Sequence, residues 1–214
     1  MIEKIFSFFL YNLFRAIVNC LSLFPYFRFF KETAGTQTPI SFLIWYKQKI
    51  IGYNRSAYWP VHFTSLVSGW NNIYAGIETS PGLMPGCYIQ AIGKIYIGDY
   101  TQIAPNVGII SANHDLYDSR KHIVSKVKIG KYCWLGMGTV ILPGVELGDY
   151  TIVAAGSIVT KSFPDGFCVI GGNPAKLIKL LEKEKCVIHK SEYEYNGYIP
   201  AKKFEEFRKR YLNV

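Results

Sequence analysis

The chain has 214 residues and a formal net charge of +9; half of its residues are apolar and 18% are charged. That is enough apolar material for one cored domain and too much for a disordered chain. No run long enough to span a bilayer is apolar and free of charge, which excludes a clear membrane span, and 19 Gly with 10 Pro exclude a collagen-like or low-complexity chain.

Residues 5–30, IFSFFLYNLFRAIVNCLSLFPYFRFF, open the chain with a very apolar segment ended by Pro25. Glu3-Lys4 is a poor signal-peptide n-region and no small-residue cleavage site follows, so the segment resembles a leader only superficially. Asn12, Arg15 and Asn19 fall on one helical face and Phe, Leu and Ile on another. Two readings follow: an interfacial helix in peripheral contact with a membrane, or a helix packed on the body of the protein or on a partner subunit. Residues 31–60 are turn-rich and carry no legible chemistry. Residues 1–60 are therefore taken as an N-terminal helical and apolar segment.

From residue 61 the pattern changes. Val61, Val67 and Ile73 recur every six positions, and after a break over 79–91 the phase returns at Ile97, Ile103 and Ile109. A second register runs through Ile129, Leu135, Ile141, Leu147, Val153 and Val159. A period of six is neither helical nor a simple strand alternation, so it marks an internal repeat. Gly, Ala or Asp follow many of the aliphatic residues, as in Ile97-Gly98-Asp99 and Leu147-Gly148-Asp149. Short strands with aliphatic side chains stacked inward and small residues at tight corners give an all-β solenoid, a parallel β-helix, over 61–175.

The interval from Ile109 to Ile129 is not a multiple of six, and the polar stretch 112–126 between them predicts a protruding loop. Long loops on a rigid solenoid carry function. His114 opens this loop, flanked by Asn113 and Asp115. An imidazole titrates near neutral pH and can take a proton from a hydroxyl. Asn113, Asp115 and Asp118 are candidates to orient it or to hold an acceptor, or they serve turn chemistry. Residues 176–214 form a charged tail with ten Lys/Arg and six Glu, read as helical over 177–186 and as an amphipathic helix over 200–212 with Phe204, Phe207 and Tyr211 on one side.

The repeats, the loop opening ANHD, the stretch KIGKYCWLGMGTVILPGVELGDYTIVAAGSIVTKSFPDG and the ending IGGNPAKLIK resemble the hexapeptide-repeat acyltransferases, and among them the acetyltransferases of sugars and xenobiotic alcohols. The resemblance covers about residues 70–180. It implies that the β-helix is left-handed, with three hexapeptides to each triangular coil, and that the protein is a homotrimer with acetyl-CoA between neighbouring subunits. It implies that His114 is the general base and that Trp134 lies by the acyl end of the cofactor. The cofactor-binding positions it implies are Gly136, Met137, Ala155, Gly156, Thr160 and Lys161, with Lys176 near the CoA phosphates.

The expected activity is acetyl transfer from acetyl-CoA to a sugar hydroxyl, in surface polysaccharide or glycolipid synthesis, by a cytoplasmic enzyme at or near the inner membrane face. N-acetylation of an amino-sugar nucleotide is the near alternative, and a non-catalytic trimeric scaffold the distant one. Neither a metal nor a nucleic-acid partner is expected. The five Cys are scattered with no CxxC pair, and Cys87 reads as a buried thiol without a paired base. The segment 80–94 breaks the repeat where sugar acetyltransferases place acceptor contacts, so the acceptor does not transfer.

Overall fold

A computed structural model describes residues 12, 13 and 15–214. Its centre is a left-handed parallel β-helix with three faces. The first face stacks Leu66–Ser68, Tyr88–Gln90, Gly108–Ile110, Val140–Ile141 and Ile158–Val159. The second stacks Ile73–Ala75, Ile95–Ile97, Val127–Ile129 and Glu146–Leu147. The third stacks Gln102–Ile103, Trp134–Leu135, Thr151–Val153 and Cys168–Gly172, and ends with Ala175–Leu180 paired antiparallel on its edge.

The hexad spacing is the side length of this triangle. Ile129 pairs with Leu147, and Ile141 with Val159, each pair separated by three hexads, one full coil. Ile109 pairs with Ile141 across a longer interval. The loop supplies the excess, and the two sequence registers are one register interrupted. The earlier phase is a different matter. Ile97 pairs with Ala75, and Ile73 with Ile95, each interval exceeding three hexads by four positions. The shared phase of Ile73 and Ile97 is thus a coincidence of spacing, because the coil between them is longer than the later ones. Ile89, inside the stretch read as a break, is fully buried and pairs with Val67.

The core is a column of aliphatic side chains, with Ile89, Ile109, Ile141 and Val159 on the first face and Leu135, Val153 and Ile170 on the third. The corner between the second and third faces turns through left-handed residues that are not glycine: Glu78, Tyr100, Tyr132, Tyr150 and Phe167. Such conformations are costly away from Gly and Asn. Here the rings of the last four stack into a ladder, with centroids 5.3, 4.9 and 5.1 Å apart. Offset aromatic stacking at these distances stabilises by roughly 0.5–1.5 kcal/mol per pair. Gly130 precedes this turn because a Cβ there would stand 2.5 Å from the Asp149 backbone nitrogen of the next coil.

The tail straps across the ladder. Tyr132 Oη donates to the His189 carbonyl and Tyr150 Oη to the Val187 carbonyl, both at 2.8 Å. Tyr100 Oη donates to Glu194 at 2.8 Å. The segment 177–186, expected as a helix, is instead strand to Leu180 followed by a short turn at Lys183–Lys185. The open edge of Cys168–Gly172 supplies backbone partners that a local helix propensity does not outweigh. The expected boundary at 175/176 thus falls inside this strand. The helix Ala201–Tyr211 lies where its pattern places it, and Phe204 is buried against Tyr58.

Part of the N-terminal segment packs on the body. Residues 15–21 are helical. Phe29, Phe30 and Ile40 form a second core with Tyr195 of the tail. Gln48, fully buried, ties this layer to the β-helix: its amide donates to the Trp59 carbonyl at 2.9 Å, and its oxygen accepts from Val61 N and Tyr198 Oη. Residues 5–11 and 14 of the apolar segment lie outside the described residues. Among the described residues, no helix is long and apolar enough to cross a membrane.

Leu135 is fully buried in the middle coil. Leu135→Ala is expected to lower unfolding stability by about 2–5 kcal/mol, read as a lower urea midpoint at unchanged slope.

Candidate functional site

The loop leaves the β-helix at the corner between the first and second faces. Ser111 closes its root: Ser125 N donates to the Ser111 carbonyl at 2.8 Å, and the Ser111 hydroxyl donates to the Gln90 carbonyl at 2.8 Å. Above the root, Ala112–His114 pairs antiparallel with His122–Val124, placing His114 opposite His122. The two imidazoles are 4.6 Å apart between centroids. At the tip, Leu116 and Tyr117 are 91% and 98% exposed.

His114 Nδ1 stands 2.5 Å from the Ser119 carbonyl oxygen. A carbonyl only accepts, so Nδ1 carries the proton in this contact. In the neutral imidazole Nε2 is then the basic nitrogen. The exposed ring is held by one nitrogen and presents the other as a proton acceptor.

The neighbouring acids build the loop. Asp115 Oδ1 accepts from Tyr117 N and Asp118 N, each at 2.9 Å, and these bonds hold its carboxyl below the ordinary range. Asp118 takes Arg120 Nε at 2.8 Å and Nη2 at 3.1 Å, and this pairing lowers its carboxyl likewise. The contribution of both carboxylates is complete above the unfolded value near about pH 4 and is lost as pH falls through the lower folded values. Neither touches the imidazole; the Ser119 backbone orients it. Asn113 pairs across the hairpin with Ile123, its side chain exposed.

Trp134 lies on the third face, beside Gln102 and Ile152, and is 55% exposed. In a triangular coil this face is opposite the corner that carries the loop. One copy of the chain therefore does not bring His114 and Trp134 together.

Gly136, Met137, Ala155 and Gly156 stack at the corner between the third and first faces. Gly156 N donates to the Met137 carbonyl at 2.8 Å, and Gly138 and Gly156 turn with φ of +69°. The N–H groups of Met137 and Ala155 have no protein partner among the described residues. They form a short column of outward amide donors, suited to an amide-rich chain. Lys176 pairs with Gly171 on the hairpin whose turn reaches the same corner through Gly172 N and Ser157 Oγ. Thr160 and Lys161 sit instead at the loop corner, where Lys161 Nζ lies 5.6 Å over the Phe163 ring.

Two neighbours escaped the sequence reading. His122 carries no motif of its own in the loop, and only the hairpin register sets it opposite His114. Gln102 Nε2 is buried without a hydrogen-bond partner beside Trp134. A polar residue on the outward position of a hexad was its only signal. Cys87 is buried and donates to the Ala104 carbonyl, and burial pushes its thiol up, as suits a structural thiol. Among the described residues no group of three or more His, Cys, Asp or Glu could hold a metal.

Comparison with known proteins agrees with this architecture. The bacterial transferase hexapeptide model, of six repeats, matches residues 126–161. The galactoside O-acetyltransferase of Escherichia coli is 37% identical over 89 residues, covering 40% of this chain and 43% of that protein. The one from Lactococcus lactis is 38% identical over 81 residues, covering 36% and 39%. The chain spans about half the length of the curated relatives it matches. Among solved structures, a maltose O-acetyltransferase from Clostridium difficile is 28% identical with a TM-score of 0.54, covering 81% of this chain and 89% of that one. A galactoside acetyltransferase in complex with coenzyme A gives the same identity and score over 64% and 68%. Residues 126–161 thus carry the repeats of the bacterial transferase hexapeptide model, and the fold is that of the galactoside and maltose acetyltransferase structures. The resemblance to sugar acetyltransferases read from the motifs extends to these relatives and solved structures.

The geometry predicts that neutral His114 is the Nδ1–H tautomer. Long-range nitrogen–proton correlation spectra of the labelled protein are expected to show a protonated Nδ1 and a bare Nε2 for His114. A dominant Nε2–H form would contradict the site as drawn.

Proposed function

We propose that the protein is an acetyl-CoA-dependent O-acetyltransferase whose acceptor is a sugar hydroxyl and whose general base is His114. The observation that carries this is the Nδ1 contact to Ser119, which leaves Nε2 to receive a proton. The acceptor hydroxyl gives its proton to Nε2 while its oxygen attacks the thioester carbonyl carbon. The C–S bond then breaks, and the departing thiolate takes the proton back from the imidazolium. No covalent enzyme intermediate is required.

The proposed holders of the CoA moiety fit its chemistry. Met137 and Ala155 offer amide donors to the pantetheine arm, with Gly136 and Gly156 keeping that corner free of side chains. Lys176 offers a point charge to phosphate, and Thr160 and Lys161 line the loop corner. Trp134 supplies an apolar wall. Because His114 and Trp134 lie on opposite sides of the coil, the site would be shared between copies, which is the reason to propose a homotrimer. The galactoside and maltose acetyltransferases among the relatives support a sugar acceptor. A polysaccharide or glycolipid precursor at the inner membrane face would use the apolar N-terminal segment.

Free-thiol release from acetyl-CoA, with galactosides, maltose and amino sugars as acceptors, is expected to be acceptor-dependent. His114→Ala is expected to lower it by about 10²–10⁴-fold. Equal release by wild type and variant would reject His114 as the base. Sedimentation equilibrium is expected to give three times the 24.4 kDa chain mass; a monomer with full activity would reject the shared site.

A further inference from the structure

The N-terminal turn and the C-terminal strap meet in a way that neither the transfer chemistry nor the β-helix explains. Leu23, Phe24 and Tyr26 project from the turn over 22–28 and are 80%, 62% and 70% exposed. Three large apolar side chains on one short turn are unusual at a surface that meets only water. Immediately beside them a groove of about 640 Å³ runs between Pro25 and Arg28 on one side and Lys190, Lys202 and Lys203 on the other. A neighbouring groove of about 620 Å³ shares Arg28 and Lys190 and adds Ser22 and Lys31.

The charges of this rim are unbalanced. Arg28, Lys31, Lys190, Lys202 and Lys203 make no ion pair among the described residues, whereas Asp99, Asp118, Glu146 and Glu205 elsewhere on the surface are each paired with a cation. Three carboxylates, Glu32, Glu192 and Glu194, line the grooves against the five cations, and two of them are engaged otherwise. Glu32 accepts from the Tyr195 hydroxyl, and Glu194 accepts from Tyr100. Lys202 and Lys203 also stand in the first turn of the helix Ala201–Tyr211, which has no acidic residue there. Cations are disfavoured at a helix N-terminus, so helix stability does not account for them.

We infer that this rim is a docking surface for an anionic phospholipid bilayer: Leu23, Phe24 and Tyr26 enter the interface, and the five cations meet the headgroups. Apolar side chains flanked by unpaired cations fit a lipid surface, where burial of apolar area and attraction to anionic lipid add. The surface differs from the one expected from residues 5–30 as a single amphipathic helix. Phe29 and Phe30 of that segment are buried, and three of the five cations come from the tail. The inference deepens the proposed use of a membrane-bound acceptor, but vesicle binding is measured without any activity.

The test is flotation of the full-length protein with vesicles of phosphatidylcholine alone and of phosphatidylcholine mixed with phosphatidylglycerol. Binding is expected only to the mixed vesicles and is expected to fall with added salt. Lys202→Ala with Lys203→Ala is expected to weaken it roughly tenfold to thirtyfold, and Leu23→Ser with Phe24→Ser to abolish it. All four positions are exposed, and thiol release with a free sugar acceptor, measured on the same samples, is expected to be unchanged. Absence of wild-type binding, or variants that bind as wild type does, would overturn the inference whatever the acetyl-transfer result. A change of sedimentation mass in the Leu23/Phe24 variant with vesicle binding intact would assign the apolar turn to a second copy and overturn it equally.

Discussion

Coil closure is the constraint on which the rest depends. In a parallel β-helix every position repeats directly above its counterpart, so a corner residue meets the same corner of the next coil within a few ångströms. The chain meets this condition in two ways. At one corner, glycines turn through positive φ and leave amide donors facing outward. At another, four aromatic residues accept the same left-handed conformation, and their rings stack. The aliphatic column between them is what remains when three short faces close on each other.

The loop draws its precision from that rigidity. Its root is bonded to the coil through Ser111, its two arms pair, and Asp115 and Asp118 commit their carboxylates to its own backbone and to Arg120. The result is an imidazole fixed at one nitrogen. The same rigidity keeps Trp134 on the far side of the coil, so the proposed chemistry depends on a second copy of the chain. Holding catalytic groups on a framework that does not rearrange is how proximity and orientation are secured.

The two termini act as one layer. The tail straps the aromatic ladder through tyrosine hydroxyls, turns back into a helix against Tyr58, and on the way closes a second core with Phe29 and Phe30. Gln48 and Tyr198 tie that layer to the solenoid with buried hydrogen bonds, which are costly to leave unmade. The basic surplus of both chain ends, dispersed in sequence, becomes one patch because these contacts bring residues 22–31 beside residues 190 and 202–203.

By itself the sequence determined the solenoid, its side length and the place of the loop. These depend on local chemistry: aliphatic residues every six positions, small residues after them, and a polar stretch where the period fails. It also pointed to His114, since that residue opens the stretch where the period fails. It did not determine which hexads share a face, and it misjudged the phase between Ile73 and Ile97, because a longer coil between them leaves a spacing that is still a multiple of six. Nor could it show that 175–180 is a strand, since the pairing edge of Cys168–Gly172 exists only once the coil is formed. The tautomer of His114, its opposition to His122, the opposite placement of Trp134 and the union of the two basic ends were decided by tertiary structure alone. Each depends on which segments the folded chain brings together and which it sets on opposite sides of the coil.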